Sequence, residues 1–119
     1  MKGDDIAERL ISFAVQVVKI VEGLPDTPTG KHLANQLLRS GTSPGANYEE
    51  ARGAESRRDF LHKLGISLKE LQESRYWLKV ILRSDLVKKP TIEPIIGEAE
   101  ELVRILGTSQ RTARTNCGR

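Results

Sequence analysis

Between residues 60 and 81 the apolar and small side chains Phe60, Leu64, Ser67, Leu71, Ser74, Leu78 and Ile81 follow one another at steps of four and three. At ~100° per residue that spacing places all seven on one narrow helical face, which no strand pattern reproduces. Ser56 precedes the run as an N-cap, with Asp59 three residues on, close to a capping box. The helix is expected from about Arg57 to Ser84, roughly 40 Å at ~1.5 Å per residue. A helix this long with so narrow an apolar stripe must bury that stripe against other helices.

The rest of the chain supplies those helices. Asp4 or Asp5 caps the first, in which Ile6, Leu10, Phe13, Val17, Ile20 and Leu24 recur at heptad-like spacing. A second apolar stripe, Ile11, Val15 and Val18, lies ~100–180° round from the first. Two readings stand: a broad core face, or a face that packs against another subunit. Gly23, Pro25 and Pro28 form a turn, with Thr27 as N-cap and Pro28 at the first position of the second helix.

That second helix carries Leu33, Leu37 and Leu38 into Pro44, which lacks a backbone donor and clashes with the carbonyl of Ser40, so a kink or break is expected there. Thr91 is read as the cap of a fourth helix with Pro94 in its first turn. Its inner face is Ile92, Ile95, Ile96, Ala99, Leu102, Val103 and Leu106, and Gly107 ends it. The expected fold is all-α: an antiparallel up-down-up-down four-helix bundle over residues 1–107 with a kinked or broken second helix. Residues 108–119 lack periodicity and are expected to be a disordered basic tail.

Charge and cysteine usage narrow the setting. The net charge of +3 is uneven: residues 107–119 contribute three arginines and no acid, and residues 31–89 hold 12 Lys/Arg against 7 Asp/Glu. The single cysteine, Cys117, excludes a disulfide framework and fits a reducing, cytoplasmic location. The N-terminus does not resemble a signal peptide, and no run reaches the ~20 apolar residues needed to span a bilayer. Neither a membrane nor a small-molecule substrate is expected as a partner.

Catalytic chemistry finds no constellation. His32, His62 and Cys117 lack metal-ligand spacing, the Glu-x-x-His pattern of di-iron bundles is absent, and there is no phosphate loop or dinucleotide fingerprint. No enzyme, cofactor or metal is therefore expected. Ser67 and Ser74 on the core face of the third helix leave room for a polar group from the second. Arg39, Asn47 and Glu50 are proposed to form a hydrogen-bonded cluster there, around the Pro44 break, against Ser67 or Glu70.

The run QLLRSGTSPGANYEEARGAESRRDFLHKLGISLKELQESRYWL resembles the bacterial four-helix-bundle family first noticed in intervening sequences of large-subunit ribosomal RNA genes, once annotated among ribosomal proteins. The residues that carry the resemblance are Gln36, Leu37, Arg39, Ser40, Ser43, Asn47, Glu50, Asp59, Phe60, Lys69 and Glu70. A departure is Ala51-Arg52-Gly53-Ala54, where the family often has a glycine-rich turn. The resemblance implies a ring-like homopentamer. It also implies kinship with an accessory protein of diversity-generating retroelements that binds nucleic acid and works with a reverse transcriptase.

From the residues themselves, Arg52, Arg57, Arg58 and Lys69 are the candidate phosphate-binding set, with His62, Lys79 and Arg83 continuing along the third helix. The alternative is ordinary solvated charge paired with Glu55, Asp59, Glu70 and Glu73. Tyr48, Tyr76 and Trp77 read as packing or interface residues. Two functions follow: an oligomeric adaptor that binds RNA or DNA non-specifically, with a reverse transcriptase as the partner the resemblance implies, or a structural oligomer or protein-interaction module with no nucleic-acid role.

Overall fold

The computed structural model describes residues 3–117, with side-chain surroundings for 3–115. These form four helices: α1 Gly3–Glu22, α2 Pro28–Arg52, α3 Arg57–Arg83 and α4 Lys89–Cys117. Short loops make consecutive helices antiparallel, giving an elongated bundle of 51 × 22 × 20 Å. The core is the predicted one. Leu10, Phe13, Val17, Leu64, Leu71, Leu78, Leu102 and Leu106 are fully buried, and Ile92, Ile95 and Ile96 line the start of α4. Two of the caps expected from sequence are formed, since Thr27 accepts from the amide of Gly30 and Ser56 from that of Asp59, each at 3.0 Å, whereas Asp4 and Asp5 lie within the first turn of α1, which begins at Gly3, instead of capping it. Asp85 turns the chain from α3 into α4 at φ 57°, a left-handed conformation that aspartate tolerates.

Three local expectations are corrected. The second helix is unbroken through Pro44, which is itself buried. Proline in a helix interior costs ~3 kcal/mol, and here packing on both sides offsets it. On one side, glycines let α1 approach: a Cβ on Gly41 would lie 2.7 Å from both methyls of Val17. On the other side, Ser67 of α3 donates to the Pro44 carbonyl at 2.7 Å.

The last helix does not stop at Gly107. It continues to Cys117, so residues 108–117 are helical where a disordered tail is expected, and residues 118 and 119 lie outside the described region. Aperiodic polarity misled here because the extension packs through few contacts, chiefly buried Ala113, whose carbonyl accepts from Arg57 at 3.4 Å. The same helix begins at Lys89, so Thr91 lies within it instead of capping it, and Pro94 sits past its first turn.

The seam between α1 and α4 is the thinnest in the bundle. Arg9 closes it with a two-pronged bond to Glu98, at 2.9 and 2.6 Å, and that bond raises the Arg9 pKa. From this level α1 runs back only to Gly3 while α4 runs on to Cys117, roughly 9 Å against roughly 28 Å at ~1.5 Å per residue. The end of α4 thus projects past the start of α1.

Candidate nucleic-acid interface

The four basic residues singled out from sequence do not form one surface. Arg52 ends α2 and is held by Asp4 and Glu49; the hydrogen bond to Asp4 raises its pKa above the ordinary arginine value. Arg57 turns toward α4 and bonds the carbonyl of Ala113. Arg58 and Lys69 lie on the outward face of α3.

That outward face is the candidate site. Arg58, His62, Lys69, Gln72, Tyr76 and Arg83 are all exposed and recur at helical spacing, with Gly65 and Lys79 filling the intervals. The row spans roughly 38 Å at ~1.5 Å per residue. Of the acids on its flanks, four are ion-paired, one of them with Lys79 of the row itself. Glu70 and Glu73 both pair with Arg39 of α2, Glu50 with Lys63 at 2.8 Å, and Glu100 of α4 with Lys79 at 3.8 Å. Asp59 is the acid at the edge of the face, sharing a shallow hollow with Ser56, Arg58 and His62. Arg58, Lys69 and Arg83 make no ion pair among the described residues, so their charge faces solvent.

The aromatic residues divide. Tyr48 is buried, and desolvation raises the pKa of its hydroxyl. Trp77 donates its indole N–H to Glu73 at 2.9 Å and meets His32 and Tyr76 edge-on. Tyr76 itself is 59% exposed, a ring standing in the middle of the basic row. Its place beside Gln72 and Lys69 is readable from the three- and four-residue spacing, which reading it as a packing residue passes over.

The expected polar cluster around Pro44 is not assembled. Arg39 is exposed and reaches Glu70 and Glu73; Asn47 bonds only to Ser43 of its own helix, at 3.0 Å to the carbonyl and 2.9 Å to the hydroxyl; Glu50 pairs with Lys63. Of the proposed set, Ser67 makes the bond from α3 to this turn, at the Pro44 carbonyl. The separation follows from helix geometry: Arg39 and Glu50 lie eleven positions apart, roughly 16 Å along α2.

The second apolar stripe of α1 is not core. Ile11, Val15 and Val18 are 51%, 47% and 38% exposed, and with Ala14, Gly45 and Ala46 they line a shallow, largely apolar groove of about 340 Å³ between α1 and α2. Among the described residues no group of three His, Cys, Asp or Glu is placed to hold a metal ion. No helix is long and apolar enough to cross a membrane.

Comparison with known proteins places this geometry. The family model described as 23S rRNA-intervening sequence protein matches residues 4–108. The chain is also similar to a solved structure from Bacteroides thetaiotaomicron, described as a protein of unknown function from the S23 ribosomal protein family. The two are 35% identical with a TM-score of 0.86, over 93% of this chain and 99% of that one. No curated protein matches.

Proposed function

Since the chain belongs to the family of 23S rRNA-intervening sequence proteins, we propose that it is an oligomeric adaptor that binds RNA or DNA without sequence preference through the outward face of α3. The observation that carries this is that Arg58, Lys69 and Arg83 make no ion pair among the described residues, on one exposed helix face where Glu70, Glu73, Glu50 and Glu100 are engaged by Arg39, Lys63 and Lys79 and Asp59 is the acid left at the edge. Solvated surface charge usually alternates in sign and pairs locally. A row of cations with an exposed ring among them instead suits a phosphate backbone with a base lying against tyrosine. Self-association enters through α1, whose exposed Ile11, Val15 and Val18 form an apolar patch that a second copy of the chain would cover. The family resemblance favours a homopentamer, in which the α3 faces would be repeated around a ring, and a reverse transcriptase as a protein partner.

Titrating a labelled single-stranded RNA with the protein at ~50 mM salt, where phosphate contacts are strong, tests the reading. Binding that weakens steeply with salt supports it. Absence of binding returns the function to a structural oligomer or protein-interaction module, a reading that the apolar α1 patch supports by itself.

A further inference from the structure

The projecting end of α4 leaves a hollow of about 550 Å³ at one end of the bundle, between the first turns of α1 and α3 and the last turns of α4. Among the described residues the charged ones that line it are Arg57 of α3 and Arg104 of α4, with no carboxylate beside them in the lining. Phe60, Ile6 and Ile105 supply an apolar wall, and Thr108, Ser109 and Thr112 supply hydroxyls. We infer that this hollow binds a nucleoside monophosphate unit, with its phosphate on Arg57 and Arg104 and its base against Phe60.

The chemistry of the lining selects this class of ligand. Two guanidinium groups from different helices meet a phosphate as forked donors, and both keep donors available. Arg57 uses Nη1 for the Ala113 carbonyl, which leaves Nε and Nη2. Arg104 holds Glu101 through Nε and Nη2, which leaves Nη1. The hydroxyls of Ser109 and Thr112 have no partner among the described residues and suit sugar or phosphate oxygens. A volume of this size lies within the range of small-molecule sites, ~300–1,000 Å³. A free inorganic anion would leave the Phe60, Ile6 and Ile105 wall unused, and a purely apolar ligand would leave the Arg57 charge and the free Nη1 donor of Arg104 unused. The site goes beyond the α3 face and does not rest on it. Ser109, Thr112 and Ala113 also lie past residue 108, where the family match ends.

The same unit is presented by a free nucleotide and by the 5′-phosphorylated end of a strand, and the test separates the two. Calorimetric titration of the full chain with AMP and UMP at ~1 mM and ~50 mM salt is expected to show saturable binding. Inorganic phosphate is expected to bind at least tenfold more weakly. Arg57→Ala, and Ser109→Phe, which fills the hollow from a half-buried position, should each weaken nucleotide binding about tenfold or more while circular dichroism shows full helicity. Lys69→Glu, which alters only the α3 face, should leave it unchanged, so loss of RNA binding there and loss of nucleotide binding here remain distinguishable. A short oligonucleotide binding more tightly with a 5′-phosphate than with a 5′-hydroxyl, in a manner abolished by Ser109→Phe, identifies the strand end as the ligand. Equal binding of the two, with AMP still bound, identifies the free nucleotide. Phosphate binding as tightly as AMP, AMP binding indifferent to both substitutions, or no nucleotide binding at all overturns the inference.

Discussion

The hydroxyl of Ser67 donates to the carbonyl of Pro44 across the α2–α3 interface at 2.7 Å, at a point where both residues are buried. This bond joins the proline-bearing turn of α2 to α3, whereas Asn47, one turn on, bonds only within α2. Ser67→Ala is expected to cost about 1 kcal/mol, the net worth of a buried hydrogen bond. Asn47→Ala should cost no more than a few tenths, since its bonds to Ser43 compete with the helix's own. Urea midpoints of the two variants check the contrast, and a larger loss for Asn47→Ala than for Ser67→Ala would refute it.

Close packing of α1 on α2 gives the second prediction. A methyl on Gly41 would lie 2.7 Å from both Cγ atoms of fully buried Val17. Overpacking of this kind costs about 1–3 kcal/mol, against which alanine regains about 1 kcal/mol of helix propensity. A double-mutant cycle cancels the propensity difference. Gly41→Ala and Val17→Ala should therefore couple by about 1 kcal/mol or more, in the sense that the smaller valine replacement rescues the alanine. Additive denaturation free energies would show that the helices separate freely at this point.

Helix positions and core residues were legible because a 3.6-residue period reports burial directly, as in Leu64, Leu71, Leu78 and their partners in α1 and α4. What was not legible depends on which helix lies opposite. Pro44 reads as a breaker until Gly41 and Ser67 are seen on either side of it. The extension of α4 past Gly107 carries too few apolar residues to show a period, yet Ala113 is buried because Arg57 meets it. The basic set failed in the same way: Arg52 and Arg58 lie six positions apart, but the α2–α3 turn sends one toward Asp4 and leaves the other facing solvent. Tyr76 was hidden by its neighbour, since of the two adjacent aromatics Trp77 takes the packing role and Tyr76 is left exposed.

Acid should weaken the protein partly through Glu101. Hydrogen bonding to Arg104 lowers the Glu101 pKa, so its folded value lies below its unfolded one. Such a group contributes stability above the unfolded value, near ~4.3, and loses it as pH falls through the folded value. The pair is solvent-screened, so the effect is small. The melting temperature of the natural chain should exceed that of Glu101→Gln at pH 6, and the gap should narrow as the pH is lowered below ~4.3. A gap that is constant across this range would assign the difference to packing instead of charge.

Self-association should depend on the exposed stripe of α1. Val15 and Val18 are exposed side chains that touch the apolar groove and not the core. Replacing both by lysine should leave helicity and core stability within about 0.5 kcal/mol, as for surface substitutions generally, while reducing the assembled mass. Sedimentation equilibrium at micromolar protein decides this. A natural chain that sediments at its monomer mass of 13.3 kDa would remove the oligomer from the proposed function.

The nucleic-acid reading makes the most specific demand, because it predicts which arginines matter and which do not. Arg58, Lys69 and Arg83 are exposed and make no ion pair among the described residues, while Arg52 is engaged by Asp4 and Glu49. For single strands, each neutralised phosphate contributes about 0.7 to the slope of log affinity against log salt. Changing the three α3 residues to alanine should thus reduce that slope by about 2 for each chain engaged. Arg52→Ala should leave the slope unaltered to within its error. Tyr76→Ala, which removes a ring but no charge, should weaken binding by about 1–3 kcal/mol if a base stacks on it, with the salt slope preserved. Charge loss that changes the slope and ring loss that does not would place phosphate and base on the same helix face. The opposite ranking, with Arg52 dominant and the α3 residues silent, would move the contact to the end of the bundle and leave the outward row as ordinary solvated charge.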